Sequence, residues 1–377
     1  MLISSIDASI QVVCKPTMAH QGQRGRLHLQ SSYCFLFATI AAASIAGWVV
    51  SRTGLPLGWM IGSMLATAAA SLARLPVQTP SLLLNIIRAS IGVMLGAAFT
   101  SELISSVGTW WPTLLCLILS LAVMFAAGFL FLRKILRFEA TTAALCAMPG
   151  GIAEMVLLSD REGADQTRVA IIHALRIALA ILFIPVLISQ IATIEPATGN
   201  ASMNVATLTG QDWLWIVICI LAGLFARGWR RLPAPIVIVP MLISAALHLS
   251  GASDFNVPGS ITIVIQVFIG INVGGRFAGA PLKSLTASFG AAFIVVGVQI
   301  GTAFTAALLV AQGVGVDPVS LVLAYAPGGL AEMSIIALSY DRDVAFVGVH
   351  HVFRVMLALA LAPLLLSWLI RPPKDAK

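Results

Sequence analysis

From Ser32 to Ile370 one long apolar window follows another almost without a linker. They run Ser32–Val50, Pro56–Leu72, Leu82–Phe99, Trp111–Leu132, Thr141–Leu158 and Val169–Ile191. A second set follows at Trp213–Phe225, Pro235–Leu249, Ile261–Phe277, Ala287–Val310, Leu321–Ser339 and Val344–Ile370. Several approach the roughly 20 apolar residues that a spanning helix needs. The chain is 59% hydrophobic and 10% charged, against about 45–50% apolar and about 25% charged in a soluble domain. Such a chain cannot cover itself with polar surface. A soluble enzyme, a disordered chain and a nucleic-acid-binding domain are excluded, and lipid must be its solvent.

The two sets of windows are copies. Pro149–Ser189 aligns without a gap on Pro327–Ser367, at a constant spacing of 178 residues. The register pairs Pro149, Gly150 and Gly151 with Pro327, Gly328 and Gly329, and Ala153-Glu154-Met155 with Ala331-Glu332-Met333. It also pairs Asp165 with Asp343, His173 with His351, Arg176 with Arg354, and Gly92 and Gly96 with Gly270 and Gly274. Shared lipid solubility explains matching Leu and Ala. It does not align Pro, Glu, His and Arg in one register. Internal repeats are common in transporters.

The expected fold class is an all-α polytopic membrane protein of two homologous repeats. Membrane repeat 1 covers 32–193 and repeat 2 covers 213–370. The polar stretch 1–31 reads as a cytosolic tail, with Met18 as a second candidate start, 194–212 as an external linker, and 371–377 as a cytosolic tail. The net charge of +7 is read as loop charge that sets orientation. Basic clusters lie near Arg74, Arg133–Arg137, Arg227–Arg231, Arg276–Lys283 and the C-terminal tail; the loops Ser105–Gly108, Thr193–Asp212, Ser250–Ser260 and Ala311–Val319 hold no Lys or Arg. Ten crossings, with each Pro-Gly-Gly segment re-entrant or broken, put every basic cluster inside; only Arg52 and Arg342 fall outside. Five crossings per repeat make the repeats inverted. The expected location is the inner or plasma membrane, with both termini cytoplasmic.

Glu154 and Glu332 are the acidic residues that fall deep in apolar windows, each just after a Pro-Gly-Gly. Proline and paired glycines break a helix, and the half-helix that follows presents free N–H groups and a positive dipole end. Each Glu is either a cap for those groups or a functional ionisable residue. His173 and Arg176 share a helix face, as do His351 and Arg354. An Arg at membrane depth needs a partner, and a Glu of either repeat is the expected one. That pair either fixes the fold, or Arg holds an anionic substrate while Glu or His exchanges a proton. His350 has no counterpart, because Ile172 stands in the first copy. Asn272 and Gln266, with Arg88 at the place of Gln266, are polar in apolar helices and are candidates for the same cavity. No nucleotide, serine-hydrolase or zinc-protease motif occurs, and the cysteines form no CxxC pair. No cofactor and no metal site are read from the chain.

The duplicated Pro-Gly-Gly-x-Ala-Glu-Met core, the His-x-x-Arg that follows it, and the Leu-Pro pairs at 55–56 and 232–233 resemble the AbrB-duplication membrane-protein family. The resemblance covers Ser32 to Ile370. It implies an architecture similar to inverted-repeat cation/proton antiporters and anion transporters. It also carries two labels, ammonia monooxygenase and AbrB-type regulator of gene expression. The function expected is a secondary transporter of a small, anionic solute with proton coupling. Its site draws on Pro149, Gly150, Gly151, Glu154, His173, Arg176, Asn272, Pro327, Gly328, Gly329, Glu332, His351 and Arg354. A membrane-embedded regulator is the alternative; an oxidase lacks a metal or flavin site here. The expected partners are the lipid bilayer, the solute and protons, with no nucleic acid; homo-oligomerisation stays open.

Overall fold

The computed structural model describes residues 21–191, 208–229, 232, 234–253, 255 and 258–370. Residues 1–20, the linker stretch 192–207, Arg230, Arg231, Pro233, Asp254, Asn256, Val257 and the tail 371–377 lie outside the described residues.

The described chain is helical, with no strand among its residues. Repeat 1 contributes α1 (Gln21–Ser51), α2 (Gly58–Leu72), α3 (Ser81–Ala97), the short α4 (Ser101–Val107) and α5 (Trp111–Leu130), which runs on through a π turn at Phe131–Ile135. After it come the half-helices α6 (Ala140–Ala147) and α7 (Ile152–Arg161), then the closing helix α8 (Gln166–Ile191). Repeat 2 contributes α9 (Gly210–Ala226), α10 (Pro235–Leu249), α11 (Gly259–Gly275) and α12 (Leu282–Val314), the half-helices α13 (Pro318–Tyr325) and α14 (Leu330–Ser339), and the closing helix α15 (Val344–Ile370). The starts of α6, α7 and α8 recur in α13, α14 and α15 at the sequence spacing of the copies.

Trp111–Ile135, Gln166–Ile191, Leu282–Val314 and Val344–Ser367 are each long and apolar enough to cross a bilayer. Shorter apolar helices accompany them at Phe35–Ser51, Gly58–Leu72, Ser81–Ala97, Gly210–Ala226, Pro235–Leu249 and Gly259–Gly275. The protein is an all-α polytopic membrane protein. Two boundaries differ from the sequence reading. Helix α1 starts at Gln21, within the stretch read as a tail, and α12 extends beyond the window at both ends. Polar flanking residues add turns without adding hydrophobicity, so an apolar window understates helix length.

Side-chain caps mark some of the helix starts. Thr209 and Asp212 form a reciprocal capping box at α9. Asp317 accepts from Ser320 N at 2.8 Å at the start of α13. Asp165 and Asp343 accept from Arg168 N and Phe346 N at 3.0 and 2.8 Å, the N-terminal role their positions suggest.

Two crossings tie the repeats together. Helix α3 lies along α10, and α2 lies along α11. A Cβ on Gly92 would collide with the carbonyl of Val237, and one on Gly96 with the carbonyl of Met241. In the other crossing, Gly270 faces Met60 O and Ser63 Oγ, and Gly274 faces Met64 O. Only glycine lets the backbones come this close. Helices α1, α2 and α11 make one triad and α3, α9 and α10 another, the two meeting where α3 touches α11; α5–α8 and α12–α15 pack into a separate group, so each group mixes both repeats.

Candidate functional site

The site begins with two breaks of the same design. Met148 and Ala326 are extended, as the residue before a proline prefers, so α6 and α13 stop there. Gly151 and Gly329 are the N-cap residues of α7 and α14. The glycines serve close packing. A Cβ on Gly150 or Gly328 would run into the side chain of Met155 or Met333, and a Cβ on Gly151 or Gly329 into Oε2 of Glu154 or Glu332. Each position of the Pro-Gly-Gly-x-Ala-Glu-Met core apart from its variable residue and its alanine thus has a physical task. Proline stops one half-helix, the first glycine receives the methionine, and the second receives the folded-back carboxylate.

The closing helices hold these breaks from behind. Arg176 donates through Nη1 to Met148 O at 3.0 Å and through Nη2 to Gly150 O at 2.5 Å. Arg354 forks in the same way onto the carbonyls of Ala326 and Gly328. His173 Nε2 meets Leu145 O at 2.9 Å, and His351 Nε2 meets Leu323 O at 2.9 Å. A carbonyl only accepts, so each Nε2 carries the proton. A cation at the C-terminal end of a half-helix compensates its dipole and its orphaned carbonyls. The sequence reading expected Glu–Arg pairs. Among the described residues, neither Glu154 nor Glu332 forms an ion pair within 4.0 Å; the recorded bridges are Arg168–Asp165 and Arg342–Asp317. The guanidinium forks are already engaged by carbonyls, and the fork geometry suits two parallel acceptors.

The two copies differ in enclosure. Glu332 is 5% exposed, whereas Glu154 is half-buried. Helix α14 packs against α3, α8, α11, α13 and α15, while the principal neighbours of α7 are α6 and α8. The difference is written in the sequence. Helix α7 carries Asp160 and Arg161, and α14 is apolar around Glu332. Arg176 and Arg354 are 3% exposed, and His173 and His351 are fully buried.

Glu332 lies in the field of Arg176, Arg354 and Arg276. Arg276 was missed as a site residue. It caps the C-terminus of α11 and sat in a run read as a basic loop. Its Nη1 is buried without a partner, as are Nε of Arg176 and of Arg354 and Oε1 of Gln266. The available signal was spacing: Asn272 and Arg276 lie four apart and share a helix face. Asn272 and Arg88 are half-buried, and Arg88 lies within the field of Arg276.

His350 belongs to a different cluster. Its Nδ1 meets Phe346 O at 2.8 Å and its Nε2 meets Thr113 Oγ1 at 2.9 Å, beside Trp110 and Tyr325. Tyr325 donates to Thr113 O at 2.7 Å. This aromatic knot binds α5 to α13 and α15, and it accounts for the asymmetry at Ile172. An apolar groove of about 200 Å³ between α5 and α15 reaches Met148 and Pro149.

Fold and site together define a polytopic helical membrane protein in which two broken helices meet buried arginines. The chain belongs to the family whose model is described as "Transition state regulatory protein AbrB", which matches residues 59–370. It is 28% identical to "Uncharacterized protein YhjN" of Bacillus subtilis, over 86% of this chain and 90% of that protein. It is 24% identical to "Putative regulator AbrB" of Escherichia coli, over 82% of this chain and 89% of that protein.

Proposed function

We propose that this protein is a secondary transporter of a small anionic solute, coupled to protons, with its site where the two Pro-Gly-Gly breaks face the closing helices. The observation that carries the reading is one buried carboxylate, Glu332, at the start of a half-helix, together with buried nitrogens of Arg176, Arg276 and Arg354 that have no partner. Three cations against one anion leave net positive charge inside a membrane segment, where charge is expensive unless it has a task. Broken helices at membrane depth are the usual place for a transporter's site. The protein lies in the inner or plasma membrane with both termini cytoplasmic, and its repeats, 32–193 and 213–370, are inverted.

The test is uptake into proteoliposomes of acetate, succinate and inorganic phosphate under an imposed proton gradient. Uptake of at least one anion that is driven by the gradient and lost in Arg276→Gln supports the reading. Absence of flux for all of them refutes it.

A second reading has one observation in its favour, the word regulator in the name of the Escherichia coli relative. In that reading the same pocket binds a ligand without transport. Ligand-dependent thermal stabilisation without flux, together with a co-purifying protein partner, would favour it.

A further inference from the structure

Glu332 is a carboxylate that has no counter-ion within 4.0 Å among the described residues and yet is almost fully enclosed. Its oxygen folds back over the Cα of Gly329, at the N-terminal end of α14. The charged and titratable groups on the elements around α14 are Arg88 on α3, His173 and Arg176 on α8, and Arg276 at the end of α11. Arg168 on α8, Tyr325 on α13 and His350, His351 and Arg354 on α15 complete the set. The carboxylates on these elements, Asp165, Asp317 and Asp343, are engaged as caps at their helix starts. Glu332 is therefore the carboxylate of this group that lies away from such a cap pair, among buried arginine nitrogens without partners.

We propose that the ligand of this site is a small monoanion that enters together with a proton: the anion takes over the field of Arg176, Arg276 and Arg354, and the displaced charge of Glu332 is removed by a proton on its carboxylate. This rests on the transporter reading above and fixes its direction as symport. Two negative charges in one buried field repel each other, so arrival of the first favours protonation of the second. The linkage is reciprocal: acid strengthens anion binding by the factor with which the anion strengthens proton binding. The unpartnered Nη1 of Arg276 and Nε atoms of Arg176 and Arg354 are the donors that remain for the anion. The Nη atoms of Arg176 and Arg354 stay on their carbonyls, so binding does not dismantle the breaks. One anion and one proton together carry no net charge, which suits a site that a bilayer surrounds.

The experiment is calorimetry on the full-length, detergent-solubilised protein with acetate, chloride and inorganic phosphate as probes. Each is titrated in two buffers of different ionisation enthalpy, so that protons taken up per anion bound can be counted. The expected result is uptake approaching one proton per monoanion, with affinity falling up to tenfold per pH unit as pH rises. In Glu332→Gln, proton uptake and its pH dependence should vanish while binding persists. Wild-type binding with no proton uptake overturns the symport inference and leaves the anion reading standing. So does uptake that persists in Glu332→Gln. Failure of all three probes to bind overturns the anion reading and this inference with it. The wild-type proton count decides the matter even if the variant does not fold.

Discussion

Oε2 of Glu332 occupies the space that a Cβ on Gly329 would need. The two residues are three apart, so the carboxylate closes back over the helix start that it follows. The same relationship holds between Glu154 and Gly151. The second glycine of each break is thus part of the carboxylate's seat.

Gly329→Ala should push the Glu332 side chain out of that seat. Overpacking of this kind costs about 1–3 kcal/mol, visible as a lowered Tm in detergent. The same variant should weaken the acid-dependent binding of acetate. Gly279→Ala is no control, because its φ of +73° strains any side chain; Gly290→Ala is, because a Cβ there meets nothing within 4 Å. Equal behaviour of Gly329→Ala and Gly290→Ala would show that the seat does not matter.

Removing the Arg354 fork should destabilise the second break. Arg354→Ala leaves the carbonyls of Ala326 and Gly328 without their donors, at about 1–3 kcal/mol each, or about 2–6 kcal/mol together. Arg354→Lys should recover little, because an ammonium cannot span two carbonyls as a planar fork does. Chemical denaturation in mild detergent measures both. Unchanged stability of Arg354→Ala would remove the clamp from the account.

Asp212 provides the pH dependence. Hydrogen bonds from the Thr209 side chain and backbone, and from Ser253, hold its carboxyl below the ordinary carboxylate range. A depressed carboxylate contributes stability that is complete above the unfolded value, about pH 4, and that is lost as pH falls through the lower folded value. Protection of the amides in the first turn of α9, relative to their intrinsic exchange rate at each pH, should therefore fall in acid toward that of Asp212→Asn, whose protection should show little pH dependence. If the first turn exchanges alike in wild type and variant at neutral pH, the box does not hold it.

Inversion of the repeats is open to labelling. With single cysteines on a cysteine-free background, a membrane-impermeant maleimide added to intact cells should reach position 251 and spare its counterpart 178 residues earlier, position 73. Labelling of both from one side would mean an even number of crossings between them and no inversion.

The positions of the helices were legible because two signals are strong in lipid: hydrophobic windows, and proline with paired glycine at the breaks. The duplication gave the candidate residues before any contact was known. What the carboxylates and arginines touch was not legible. Sequence distance shows that His173 and Arg176 share a face, but not that this face meets the carbonyls of α6. Backbone acceptors leave no trace in residue identity, so charge complementarity alone points to Glu. Arg276 was hidden by its company among loop cations. The inequality of Glu154 and Glu332 depends on which helices cover α7 and α14, although Asp160 and Arg161 already marked one of them as a wetter helix.

The glycine-lined crossings of α3 on α10 and of α2 on α11 have a mechanical result. Each repeat leaves its first helices stitched into a common frame with the other's, and sends its broken pair and closing helix into a common cartridge. A rigid body that shifts across the bilayer would therefore be assembled from two non-contiguous stretches of the chain. Such a shift would have to be absorbed wherever the chain passes between frame and cartridge: near α4, between α8 and α9, and around Phe277–Pro281.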